Sequence, residues 1–190
     1  MFGNLVGRRQ LRTLLENKDL IISPFEEKFL RASHYTLHPG RVLHRDDAGG
    51  WSDFYNFKNR SKTPAPPLPL GANEYVVVEV LEDIKILRAG IVGRFIIASS
   101  NIESGLLIVA GQVDNKYGAD GERIRFGLKN LLPVENQLTA ATRLAHVEFF
   151  DLRGLETEDP VLTEEDRAVR SKRIARAHDD GVWSTLEDDE

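Results

Sequence analysis

The sequence predicts an all-β domain, a sandwich or a barrel, with a short N-terminal helix and a C-terminal helical, acidic tail. Three observations lead there. Between residues 74 and 150, short apolar runs recur with a turn signal about every ten residues. One of these runs, ERIRFGLKN, alternates so that Ile124, Phe126 and Leu128 fall on one face, as on a half-buried strand. After Gly154 the alternation stops and a charged helical pattern replaces it.

The elements follow in order. Residues 8–17 (RRQLRTLLEN) predict a short helix, because Leu11, Leu14 and Leu15 make one apolar stripe. The run DLIIS is too short for a helix and reads as a strand closed by Pro24. A second short segment, PFEEKFL, comes next. Residues 45–73 are rich in Gly, Asp, Asn and Ser, with four prolines at positions 64–69. They predict one long loop with a polyproline-like end, packed in part through Trp51, Phe54, Tyr55 and Phe57. The strands EYVVVEVLE, GIVGRFIIASS, GLLIVAGQV and LAHVEFFDL complete a β domain over residues 1–154. In the tail, 155–190, Thr163 is the expected N-cap of a helix with acids in its first turn and bases in its last. Asp166 and Arg170 form an i, i+4 pair there, and the apolar face is thin. The chain ends in an acidic stretch around Trp183.

Composition removes several function classes. The chain has 190 residues, 41% of them hydrophobic, which is enough for a core. It has no cysteine, so disulfides, thiolate metal sites and cysteine nucleophiles are excluded. The start of the chain lacks a signal-peptide pattern, and no run approaches the roughly 20 apolar residues of a membrane helix. The expected address is the cytoplasm, with no membrane partner. The net charge of -5 is uneven: residues 151–190 carry 13 acidic and 6 basic residues, leaving the preceding part slightly basic. No broad basic stripe offers itself to duplex nucleic acid. A small anion needs only a few cations, and Arg94, Lys116, Arg123 and Arg143 are at hand.

No HExxH, Walker, GxGxxG or GxSxG motif occurs. His34 and His38 are four apart, but YTLHPG predicts strand and turn around them, so no metal site is assigned. Residues 93–130 concentrate the chemistry. Ser99 and Ser100 offer hydroxyls and backbone N–H groups suited to phosphate oxygens. Asp114 suits a water or a sugar hydroxyl, and Tyr117 suits stacking on a base. Each also has a plainer reading, since Ser-Ser and VDNKYG are common turn formers.

The order and spacing of these segments resemble the trimeric dUTPases and dCTP deaminases. Members of that family carry a G-R-S-S turn, a Gly-Leu strand, an A-G-x-I-D-x-x-Y/F/W turn, a strand ending in Asn, and an R-I-A-Q segment. This chain shows Ala98-Ser99-Ser100, Gly105 to Val109, Ala110-Gly111-Gln112-Val113-Asp114-Asn115-Lys116-Tyr117, Ile124 to Asn130, and Arg143-Leu144-Ala145-His146. The front, SPFEEKFLRASHYTLHPG, looks like the deaminase-type A-S-Y-D-L-x-L-G opening. The resemblance covers roughly residues 8–152. It implies a jelly-roll-like dUTPase-type domain forming a homotrimer with sites between subunits. It further implies a deoxypyrimidine nucleotide as ligand, held by Ser99, Ser100, Ala110, Gln112, Asp114, Tyr117, Arg143 and His146, with Asp114 as the catalytic candidate. Mg²⁺ would enter only with a nucleotide triphosphate.

The departures bear on activity. The turn arginine is Ala98, and a second arginine of the deaminases falls on Glu103, which reverses a charge near a triphosphate. Thr36 replaces the Asp of Y-D-L, which weakens the case for Mg²⁺. Gly127 stands where deaminases place the glutamate that shuttles protons, and glycine cannot do this. His146 replaces a Gln, and the Gly-rich arm of dUTPases has no counterpart in this sequence. The reading is a divergent nucleotide binder with reduced or no catalysis. The alternative is an active dCTP deaminase or dUTP diphosphatase. The segment 45–73 and the acidic tail are the expected surfaces for a protein partner.

Overall fold

The computed structural model describes residues 4–45, 50–57, 66–114 and 123–152. The chain opens with β1 (Asn4–Leu5) and helix α1 (Arg8–Glu16). Leu11 and Leu14 bury the helix stripe. The Gln10 side chain accepts from the Gly7 N–H at 3.0 Å, one half of a capping box. The helix stops at Asn17, and Lys18 takes a positive φ of 60° that turns the chain into β2 (Leu20–Ser23). A single 3₁₀ turn at Glu27–Phe29 follows, then β3 (His34–Leu37) and β4 (Pro39–Arg45).

The segment predicted as one long loop, residues 45–73, instead contains β5 (Trp51–Asn56) and β6 (Leu68–Leu70). Strand β5 pairs with β4 across a bulge between Val42 and Leu43. Its own faces are polar enough to read as loop, and the pairing that orders it comes from β4. Pro69 is tolerated in β6 because that strand belongs to a two-stranded ribbon with β13 (Asn136–Leu138) and, among the described residues, has no strand on its other side. Residues 58–65, with Pro64, lie outside the described residues.

The remaining elements are β7 (Tyr75–Val80), β8 (Asp83–Ile86), β9 (Ile91–Ile97), α2 (Ser99–Glu103), β10 (Leu106–Val109), β11 (Gln112–Val113), β12 (Arg125–Asn130) and β14 (Ala145–Asp151). The helix and acidic stretch expected after residue 154 lie outside the described residues.

Two antiparallel sheets result. One runs β1-β14-β9-β11, with β3 beside β1 on the same edge of β14; the other runs β10-β12-β7-β4-β5. Their inner faces make the core. Tyr35, Leu37, Val113, Val147 and Phe149 line one side, and Val42, Val76, Val78, Phe126 and Leu128 line the other. Phe95 bridges the layers edge-on to Phe126, ring centroids 4.9 Å apart. The predicted alternation of Ile124, Phe126 and Leu128 is present, all three buried. This is an all-β sandwich in which each strand sends alternate residues inward.

Buried polar groups fix the layers. The Asn130 amide reaches the carbonyls of Leu70, Gly71 and Val134 and accepts from the Leu132 N–H, tying the end of β12 to β6. Glu82, buried, accepts from the His38 N–H at 2.9 Å and lies 2.7 Å from His38 Nδ1, with Phe29 stacked over that imidazole. Such groups are tolerable inside only because they are paired.

Candidate functional site

Strand register sorts the site residues. In β14, His146 pairs with Thr36 on one side and Ile96 on the other, while Glu148 pairs with His34 and Arg94. Gln112 of β11 pairs with Arg94. Their alternate neighbours Tyr35, Leu37, Val113 and Val147 are all buried inward. Gln112, Arg94, Glu148 and His34 therefore form one row across the outer face of this sheet, spanning three strand spacings or about 14 Å. Ile96, His146 and Thr36 form the next row.

Close approach of β11 depends on Gly93. A Cβ there would lie 2.6 Å from Val113 Cγ1 and 3.2 Å from Val147 Cγ2. Asp114 follows Val113 directly and is half-buried. Ala110 and Gln112 are exposed. Tyr117 and Lys116 lie outside the described residues.

The other site residues meet at the end of the β9–β14 ladder. Ile97 pairs with Ala145 at the end of the ladder, and α2 begins just beyond it, with Asn101 bonded to the Arg143 carbonyl. The predicted Ser-Ser turn is the first turn of α2, not a turn nest, and both serines are exposed. The helix is held by Asn101, which is buried and donates to the carbonyls of Arg143 (2.9 Å) and Leu144 (2.7 Å). Glu103 points to solvent.

Around His146 the groups are close. Its ring stacks on His34 with centroids 4.2 Å apart, and its Nδ1 lies 3.2 Å from the Thr36 hydroxyl. Burial, reinforced by His34, Arg143 and Arg31 and opposed by Glu148, pushes its pKa down to about 4. Burial and Arg31 lower His34 as well, against Glu148. Both imidazoles are neutral at pH 7. Arg94, expected to be an available cation, is engaged: it donates to Glu148 at 2.9 Å and lies over the Phe150 ring. Thr36 is buried and supplies no carboxylate, and among the described residues no cluster of His, Asp and Glu could hold a metal ion.

The opposite outer face, on β10-β12-β7, is different. Leu107 and Val109 are exposed on β10, and Tyr75 of β7 is 43% exposed. A Cβ at Gly127 would meet the Tyr75 hydroxyl and lie 2.9 Å from its Cζ. The space a longer side chain on β12 would need is filled from the neighbouring strand. Further along this face Glu79 is buried, taking two bonds from Arg41 at 3.2 and 2.7 Å, with Arg125 at 3.7 Å.

His34, Arg31, Tyr75 and the Glu148 partner of Arg94 are site features that no sequence motif marks. Period-two alternation in HYTL and AHVE was the available signal: it already places His34, Thr36, His146 and Glu148 opposite core residues.

Among solved structures, the chain matches a 2'-deoxycytidine 5'-triphosphate deaminase from Agrobacterium tumefaciens, with a TM-score of 0.61 and 11% identity over 80% of this chain and 49% of that one. The chain has a dUTPase/dCTP-deaminase-like fold. It spans about half the length of that deaminase. A dUTPase of phage phi11 of S. aureus, described with a structural Mg(II) ion, matches with a TM-score of 0.48 and 13% identity over 76% of this chain and 98% of that one. The EIAV dUTPase matches with 0.41 and 14% identity over 65% and 92%. No family model matches the chain, and no curated relative matches it in sequence. Among the described residues no helix is long and apolar enough to cross a membrane.

Proposed function

We propose that this chain binds a deoxypyrimidine nucleotide on the outer face of the β3-β14-β9-β11 sheet, with reduced or no catalysis. One observation carries the reading: strand register gathers Gln112 and His146 on a single polar face, with Ser99, Ser100 and Arg143 at its end. Base and sugar belong at Gln112 and Asp114; phosphates belong toward Arg143. Asp114 would hold a sugar hydroxyl through a charge-assisted hydrogen bond.

Absence of deamination is supported at Gly127, which has no side chain to shuttle a proton. The competing reading, an active dUTP diphosphatase, keeps the support of the Asp114 carboxylate beside β11. Any Mg²⁺ would arrive chiefly held by triphosphate oxygens, and no residue of this chain is assigned to it. The chain acts as a cytoplasmic homotrimer in this reading, with the ligand between subunits and any protein partner met through residues 45–73 or the acidic tail.

A panel of deoxynucleoside triphosphates with Mg²⁺, with pyrophosphate and ammonia read separately, tests the function. Binding without either product is expected. Ammonia release from dCTP would overturn the argument from Gly127; pyrophosphate release from dUTP would establish the diphosphatase. Light scattering tests the assembly, and a monomer at micromolar concentration would refute the trimer.

A further inference from the structure

We propose that the His34–Thr36–His146 cluster, flanked by Arg31 and Arg143, is a proton-linked oxyanion site that holds the phosphate end of the ligand. The inference rests on the nucleotide reading for the identity of the ligand, but it has its own readout. It adds Arg31, His34 and Thr36 to the site and assigns a regulation by pH.

The geometry is specific. His34 and His146 project from adjacent strands with ring centroids 4.2 Å apart, and the Thr36 hydroxyl meets His146 Nδ1 at 3.2 Å. Arg31 precedes β3 in a tight turn in which its N–H donates to the His34 carbonyl at 2.8 Å, and its charge acts on both imidazoles. Arg143 enters from the lead-in to β14, its carbonyl fixed by Asn101. Among the described residues neither Arg31 nor Arg143 has a carboxylate partner. Among the described residues the acid facing the pair, Glu148, is bonded to Arg94 of β9. Arg31 and Arg143 thus flank the two imidazoles in the chain, and their positive charge acts on His146, with Glu148, the opposing carboxylate, paired to Arg94. Such a cluster repels its own protonation and attracts an anion.

Binding and protonation are therefore coupled. Without an anion, the arginines and the burial that hold His146 low also keep the pair uncharged. An oxyanion between the guanidinium groups cancels that repulsion and accepts hydrogen bonds from the imidazolium N–H groups. The bound state has the higher pKa, so affinity rises as pH falls from neutrality toward the free-state value of about 4.

Sulfate is the probe, because its charge stays constant across this range. Calorimetric titration of the full chain at constant ionic strength, from about pH 7.5 to about pH 5.5, should show affinity rising as pH falls, by at most about tenfold per pH unit, the value for one fully linked proton. His34→Asn and His146→Asn should each flatten this slope, and Arg31→Ala should weaken sulfate at every pH, with melting curves confirming the fold. Affinity independent of pH, or no sulfate binding at the lower pH, overturns the site. A competition arm identifies the source of the anion. Displacement of sulfate by dCTP and by tripolyphosphate, but not by deoxycytidine, supports the phosphate assignment. Displacement by tripolyphosphate alone keeps the oxyanion site and removes the nucleotide reading. Binding of dCTP without displacing sulfate keeps the nucleotide reading and overturns this placement.

Discussion

The two outer faces of the sandwich carry the same kind of ion pair in opposite settings. On the β10-β12-β7-β4-β5 sheet, Glu79 is 1% exposed and takes Arg41 in a two-point bond. On the β3-β14-β9 sheet, Glu148 takes Arg94, whose side chain is 59% exposed. Around the first pair, Asp53 bonds Arg41 and Arg125 lies 3.7 Å from Glu79; around the second, the neighbours are imidazoles, a hydroxyl, a glutamine and the Phe150 ring. On the first face the charges pair with one another; near the second, among the described residues, Arg31 and Arg143 have no carboxylate partner. That contrast is why the ligand is placed on the second.

The contrast can be tested by breaking each side in turn. The largest effect is expected at Glu79. Replacement by alanine removes the two-point bond to Arg41, which keeps only Asp53, and the partner of Arg125, and stability should fall by about 1.5–3 kcal/mol in urea unfolding. A loss below about 1 kcal/mol would show that this pair is as solvent-screened as a surface one.

Next in size is Gly127→Ala. The added methyl must displace the Tyr75 ring, at an expected cost of about 1–3 kcal/mol. Tyr75→Ala in the same chain should recover most of it, and a double-mutant cycle measures the coupling. Additive effects would mean that Tyr75 does not fill the space above Gly127.

Asp114→Asn should leave the fold intact, weaken nucleotide binding by about 1–2 kcal/mol, and abolish any hydrolysis, because the amide keeps only part of a charge-assisted bond. If instead the carboxylate serves only its own turn, Asp114→Asn will be silent in ligand assays and Asp114→Ala will lower the melting temperature.

On the polar face, His146 predicts a pH effect on the fold itself. Its folded-state pKa is depressed to about 4 from 6.5, first by burial and then by His34 and the two arginines. The unfolded chain binds the proton more readily, so the stability contributed is present above the unfolded value and is lost as pH falls through that window. His146→Asn should make the melting temperature less sensitive to pH there; an unchanged slope would assign the loss to other groups. The smallest effect is reserved for Glu148→Gln, at about 0–1 kcal/mol, since its partner is largely in water.

Much of this arrangement was legible in the chain, and the reason is periodicity. Alternation in ERIRFGLKN, HYTL and AHVEFF separates inward from outward residues before any pairing is known. The dUTPase-like order of segments then supplied the fold. Register between distant strands was not legible. Tyr75 and Gly127 meet only because Val77 pairs with Gly127 in the β7–β12 ladder. His34 reaches His146 only because β3 and β14 are neighbours. Strand β5 was missed for a related reason: its polar residues carry no core-facing alternation, and β4 supplies the order. Ser99 and Ser100 read as a turn because two serines at a strand end favour one, whereas Asn101 anchors them as the start of a helix.

Strand β14 has a consequence for how this face can be controlled. From Ala145 to Glu148 it is paired on both edges, with β3 and with β9. Backbone amides in such a strand exchange with solvent only when large parts of the molecule open, so this stretch belongs among the last to come apart. His146 and Glu148 thus ride on the slowest-opening part of the sandwich, and Asn101 ties the two serines to it. A ligand bound at the proposed site would meet these side chains already in place and give up little of its binding energy to ordering them. Local melting cannot switch such a surface off; only a change in charge, or something laid over it, can.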